Sequence, residues 1–214
     1  MAINTDKAKQ AFHDAAATWN KRFETDALIF GAQPNEYLSS KASLLAPGGR
    51  VLCVADGEGR NSVWLAQQGH RVDAFDIAAN GVAKARKLAA NAGVSVNCSV
   101  ADCDAWAWPA DTYDAVLAIF VQFADPPMRE RLFANMARAL KRGGLLVVQG
   151  YTPKQLEYKT GGPPILSHLY TEPMLRELSA ALEIVELHSY EAELAEGTQH
   201  LGRSALIGMV GRKS

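Results

Sequence analysis

Cysteine is scarce in this chain. Cys53, Cys98 and Cys103 are odd in number and lack C-x-x-C spacing. That argues against both a disulfide framework and a cysteine zinc site, so no metal is expected and a reducing compartment is. Long apolar runs are also missing. Nowhere do the roughly 18 apolar residues of a membrane span stand together, and the opening MAINTDKAKQAFHD has no apolar h-region. The expectation is a soluble, cytoplasmic protein without a membrane partner. Charge of one sign is not in excess either: 22 Lys and Arg stand against 23 Asp and Glu. The positive field that phosphate-backbone binding draws on is absent, which argues against nucleic acid as a main partner.

What is present suits one compact domain, 214 residues long, 48% hydrophobic and 21% charged. The most informative stretch is RVLCVADGEGRNSVWLAQQGHRVDAFD, from Arg50 to Asp76. Val51, Leu52 and Val54 read as a strand, Gly57 and Gly59 as a tight turn, Ser62 to Gln68 as a helix ended by Gly69, and Arg71 to Phe75 as a second strand. Asp76 closes that strand where a carboxylate can accept from both hydroxyls of a ribose. The glycines admit a ligand that a Cβ would hold off, and the helix amides favour negative charge. These features point to an adenosine-bearing cofactor. The dinucleotide pattern G-x-G-x-x-G is incomplete, however, because Ser62 stands where its third glycine belongs.

The remaining elements follow from periodicity and punctuation. A helical stretch around Ala8 to Phe23 leads through Gly31 and Pro34 to a second helix from Asn35 to Ala46. Val82, Ala85, Ala89 and Ala92 mark a helix over Ala79 to Ala92, and Val94 to Val100 reads as the third strand. Tyr113 to Phe120 is a buried-strand run, followed by a helix capped at Asp125 with Pro126 in its first turn and stopped by Gly143. Its stripe of Met128, Leu132, Met136 and Leu140 is expected to pack on the sheet. Leu145 to Gln149 is the fifth strand, Tyr151 to Tyr170 a long loop broken by Gly and Pro, and Thr171 caps another helix. Two strands end the chain, Glu183 to Glu191 and Ser204 to Val210, with a polar loop carrying Gly197, His200 and Gly202 between them. Alternating β and α units with a closing strand pair predict a parallel sheet with one antiparallel member at its edge.

With these pieces in order, the chain resembles the class I S-adenosylmethionine-dependent methyltransferases, in particular the small bacterial branch around the tellurite-resistance and thiopurine-type enzymes. The matching stretches are VLCVADGEGRNSVWLA, VDAFDIAANGVAKAR, SVADCDAW, YDAVLAIFVQF and LKRGGLLVVQGYT. The resemblance implies a three-layer Rossmann-like α/β fold with a seven-stranded, mostly parallel sheet and an antiparallel last strand. It implies one methyltransferase domain over 1–214, with 1–46 as a helical cap over the cofactor, acting as a monomer or homodimer.

For the cofactor, S-adenosyl-L-methionine, the resemblance places Ala55, Asp56, Gly57, Gly59 and Asn61 in the turn beneath the methionine portion. Asp76 would hold the ribose, Ile77 would lie against adenine, and Asp102, Cys103 and Asp104 would flank the adenine. Ala118 to Phe120 would face the transferring methyl, and Trp19 and Arg22 would close over the ligand. The motif departs from the family where Cys53 replaces an acid and Ala55 a glycine, which leaves Asp56 as the candidate for the cofactor ammonium. Gln122 stands where the branch often has histidine, and Met128 after Asp125-Pro126-Pro127 replaces the aromatic of the amine-methylating motif, so that segment reads as a helix cap.

The implied acceptor is a small molecule, with a soft nucleophile such as a thiol or tellurite-type species fitting the lack of an evident base. Tyr151, His200 and Arg203 are the candidate catalytic residues, with His168 beside them. His13, His70 and His188 read as surface or packing residues and Trp64 as core, while Trp106 either borders the adenine or packs. Two alternatives stay open: a non-catalytic S-adenosylmethionine-binding module, and an NAD(P)-dependent oxidoreductase on the same glycine turn.

Overall fold

The structure is a computed structural model that describes residues 14–214. Residues 8–13 of the expected first helix, His13 among them, lie outside the described residues. The helices are α1 (Ala15–Arg22), α2 (Glu36–Ser40), α3 (Arg60–Gln67), α4 (Ala79–Asn91), α5 (Pro126–Ala139), α6 (Gln155–Tyr158) and α7 (Glu172–Leu178). The strands are β1 (Arg50–Val54), β2 (Arg71–Asp76), β3 (Val96–Val100), β4 (Tyr113–Ile119), β5 (Leu140–Tyr151), β6 (Leu182–Glu196) and β7 (His200–Lys213).

One seven-stranded sheet runs in the order β3-β2-β1-β4-β5-β7-β6. Its first five strands pair in parallel, and β7 runs antiparallel to both β5 and β6. The antiparallel member is thus second from the edge and not at it, because the chain passes β6 outside before β7 fills the gap. The strand order reverses between β1 and β4, and there the carboxyl ends of the strands open a crevice. Helices cover both faces. Leu132, Phe133 and Met136 of α5 bury against Val116, Leu146 and Val148 on one side, while Leu38 and Leu65 pack on Val51, Leu117 and Val147 on the other, with Trp64 partly buried there. Strands covered on both faces account for the unbroken apolar runs in β1 and β4.

Three boundaries differ from expectation. The helix begun by the Asn35 cap is short, giving way to a 3-10 turn at Ala42–Leu44. The Ser39 and Ser40 hydroxyls donate to the carbonyls of Glu36 and Tyr37 at 2.9 and 2.7 Å, a local pairing that competes with helix propagation. Helix α5 ends at Ala139 instead of at Gly143, because Leu140 pairs with Tyr113 and Lys141 reaches Asp114 at 2.9 Å, drawing the segment into β5. The supposed loop between β6 and β7 is a hairpin in register from Leu182–Lys213 to Glu196–His200. His200 and Arg203 therefore lie in a strand. The long loop before α7 also contains α6 and a 3-10 turn at Leu166–His168.

Candidate active site

At the end of β1 the chain must turn sharply, and it does so at some cost. Ala55 takes a left-handed φ of +49°, the conformation for which the family glycine would be suited; a non-glycine residue held there costs about 1–2 kcal/mol. Gly57 and Gly59 follow with φ of +61° and +90°. A Cβ on Gly59 would come within 2.7 Å of the Ala85 Cβ, so this glycine serves the packing of α3 on α4. The Asp56 amide donates to the Phe75 carbonyl at 3.0 Å, fastening the turn to β2.

Asp76 ends β2 buried, and both its oxygens accept from backbone: Oδ2 from the Gly57 amide at 2.9 Å and Oδ1 from the Ala78 amide at 2.8 Å. Burial raises its pKa, and those amides work against the rise. The carboxylate is rigid and still has lone pairs to offer. Asp56 lies beside it. Its Oδ2 accepts from the Ser62 hydroxyl, while its Oδ1 is buried without a hydrogen-bond partner among the described residues. Burial pushes this carboxyl up to about 7, against the Ser62 contact and with the help of Asp76. Glu58, the other acid of the turn, is taken up by Lys84 at 2.8 Å.

A cavity of about 260 Å³ opens over these groups. Of the expected cofactor residues, Trp19, Ala55, Asp56, Gly57, Asn61, Asp76, Ile77, Asp102, Cys103, Asp104 and Phe120 border it. Gly59 and Ala118 do not: Gly59 abuts Ala85, and Ala118 is fully buried within the sheet. Asn61 is partly committed, since its Oδ1 accepts from the Asn35 amide at 2.9 Å. Trp108 lies in the core, its indole donating to the Cys103 carbonyl at 2.7 Å and fixing the loop after β3. Trp106 is not on the cavity wall and stacks on Phe75 at 4.6 Å between centroids. Met128 packs partly buried against the core, as expected, and also reaches the cavity wall.

A second cavity of about 330 Å³ adjoins the first, and Trp19, Phe30, Phe120, Phe123 and His200 border both. Phe120 has a left-handed φ of +57°, which turns its ring out of β4 to a centroid distance of 4.8 Å from Tyr151 and 4.2 Å from His200. Tyr151 lines the second cavity with a buried hydroxyl that has no hydrogen-bond partner among the described residues. His200 Nδ1 is likewise without one, standing 3.6 Å from Glu196 Oε2, too long for a hydrogen bond. Burial lowers the His200 pKa, Glu196 opposes this, and the cations Arg60 and Arg22 reinforce it.

Arg22 faces the second cavity and not the first. Arg203 reaches neither: it is exposed and paired with Glu191 at 2.7 Å. His168 is engaged with the Gln122 carbonyl at 3.0 Å. The Gln122 amide braces the backbone of Tyr151 and His168 at 2.9 and 3.0 Å, a structural task.

Sequence reasoning missed Phe23, Phe30, Arg60 and Glu196. Arg60 and Glu196 form a buried ion pair at 2.7 Å, and Phe23 and Phe30 close the cavity from the amino-terminal side. Each stands beside a glycine-containing turn or follows a helix end, but only tertiary folding brings them together. Among the described residues no His, Cys, Asp and Glu cluster could hold a metal, and no helix is long and apolar enough to cross a membrane.

Residues 51–144 match the methyltransferase domain family. An uncharacterized protein of Mycobacterium tuberculosis is 36% identical over 108 residues, 50% of this chain, which spans 39% of that relative's length. Thiopurine S-methyltransferase of Pseudomonas fluorescens is 29% identical over 175 residues, covering 68% of this chain and 73% of the enzyme. TehB of Haemophilus influenzae superposes with a TM-score of 0.67 at 19% identity, over 93% of this chain and 67% of that one.

Proposed function

We propose that this chain is a class I S-adenosylmethionine-dependent methyltransferase, supported by the methyltransferase-domain match and the thiopurine S-methyltransferase relative, and that it transfers a methyl group to a small molecule bound in the second cavity. The carrying observation is the shared wall: a donor-sized cavity above Asp76 meets an aromatic cavity at Phe120 and His200. S-adenosylmethionine supplies the methyl on a sulfonium that is already a good leaving group. The residues fit it, because Asp56 presents a buried, unpartnered carboxylate oxygen of the kind an ammonium requires. Asp76 would accept from the ribose hydroxyls, and Asp102 with the Cys103 backbone would hold the adenine edge. Alongside these, Trp19, Phe23 and Phe30 would exclude water from the donor.

At the junction, Phe120 and His200 would orient the acceptor in line with the methyl. Burial keeps His200 neutral, so its imidazole can take a proton from an acceptor of the thiol type. A soft nucleophile asks little more of the protein, in keeping with the absence of a second base on this wall among the described residues. Arg203 has no part in the proposal.

Calorimetric titration with S-adenosylhomocysteine and, separately, with NAD tests the reading. Micromolar binding of the first and none of the second is expected, with Asp76→Asn weakening binding about tenfold or more. Methyl transfer is then assayed with thiol, tellurite, amine and phenol acceptors. A preference for NAD would overturn the donor assignment, and donor binding without any turnover would favour a non-catalytic module.

A further inference from the structure

The second cavity has one formal charge on its wall, and it is positive. Among the described residues, Arg22, in the last turn of α1, is the only Lys, Arg, Asp or Glu that borders it. Its guanidinium lies 4.4 Å from the Trp19 ring centroid and donates to the Gln199 side-chain carbonyl at 2.5 Å. Neither partner carries charge. Arg50, Arg60 and Arg203, by contrast, each pair with a carboxylate, at 2.8, 2.7 and 2.7 Å. Among the described residues Arg22 has no such ion pair, and partial burial lowers its pKa with no acid opposing the change.

Most of the rest of the wall is aromatic, glycine or proline, with Thr18, Gln122, Gln199 and His200 adding polar atoms. Phe120 and Tyr151 stack at 4.8 Å with 29° between their planes, and Phe30, Phe123 and Gly161 to Pro164 also line the cavity. A guanidinium held by a ring and a carboxamide keeps donors free, and its planar fork suits an oxyanion with two oxygens. An aromatic enclosure with a single uncompensated cation at its mouth selects for charge at one end of a flat body.

We propose that Arg22 is the specificity-determining residue of this cavity, and that the methyl acceptor carries a carboxylate or similar oxyanion on a planar apolar body. This rests on the second cavity being the acceptor site of the transfer proposed above. It also moves Arg22 from the donor, where the resemblance placed it, to the acceptor.

The probes are matched pairs: benzoate, 2-naphthoate and indole-3-carboxylate, each against its neutral primary amide. Binding is measured by calorimetry to the wild-type chain and to Arg22→Gln and Arg22→Lys, with saturating S-adenosylhomocysteine and again without it. The wild type is expected to bind at least one carboxylate about tenfold tighter than its amide. Arg22→Gln should abolish that preference and leave S-adenosylhomocysteine affinity unchanged, while Arg22→Lys keeps part of it. Absence of a preference in the wild type, or loss of S-adenosylhomocysteine affinity in Arg22→Gln with the preference intact, would overturn the proposal. Failure of the wild type to bind S-adenosylhomocysteine would instead sink the donor reading, and the measurement without it keeps the two separate.

Discussion

At the scale of single residues, the two carboxylates of the donor cavity are set apart by their surroundings. Asp76 is satisfied twice over by amides, whereas Asp56 has one oxygen committed to Ser62 and one left over. Burial lifts Asp56 to about 7 from an ordinary 3.8, so the empty folded chain holds a proton that the unfolded chain gives up at much lower pH. Stability without ligand therefore falls as pH rises through that window. The ammonium group of the ligand's amino-acid end needs the ionised form, so S-adenosylhomocysteine should bind more tightly at about pH 8 than at about pH 6. In Asp56→Asn we expect the pH dependence to vanish and affinity at the higher pH to drop about tenfold. Calorimetry at the two pH values decides it: equal wild-type affinities, matched by the variant, remove Asp56 from this role. The sequence showed the acid and the missing family acid at Cys53, but not that Ser62 leaves one oxygen idle.

Elements were legible where local and tertiary preferences agree. Asp125 followed by two prolines announces the start of α5, and Asp125 Oδ1 indeed accepts from the Met128 amide at 2.9 Å. Replacing it with alanine should cost about 1 kcal/mol, read as a lower urea midpoint with an unchanged slope. The end of the same helix was not legible, because Gly143 looks like a stop while pairing of Leu140 with Tyr113 ends the helix earlier. The hairpin was likewise underestimated. Its outer half is polar, Glu191 through Arg203, and reads as a loop, yet the two strands stay in register to Glu196 and His200. Cross-strand partners that no local pattern encodes, such as Glu191 with Arg203, hold the extension together.

At the scale of the whole molecule, Glu196 is the joint. From the hairpin tip its Oε1 accepts from the Asn35 side chain at 2.9 Å and the Glu36 amide at 3.1 Å, and its Oε2 from Arg60 at 2.7 Å. One carboxylate thus fastens the amino-terminal segment, the helix after the glycine turn and the last strand pair. Burial works to raise its pKa, but the Arg60 guanidinium and the Glu36 amide hold it down to about 2. Glu196→Gln leaves Arg60 buried without its counter-charge and should destabilise by about 3 kcal/mol in urea titration. An unchanged midpoint would show that the pair contributes nothing net. The strand-turn-helix-strand unit and the position of Asp76 could be read from Arg50 to Asp76 alone. The second cavity could not, since its wall gathers residues as distant in the chain as Trp19 and His200.

That scattered wall has a thermodynamic consequence. A molecule seated above Asp76 touches chain from Trp19 to His200 and so has no binding surface on any partly unfolded form that has lost either end. Its occupancy is linked to the global unfolding equilibrium: at a hundred times its dissociation constant it adds about 2.7 kcal/mol against every opening that dismantles the site, wherever in the chain that opening begins.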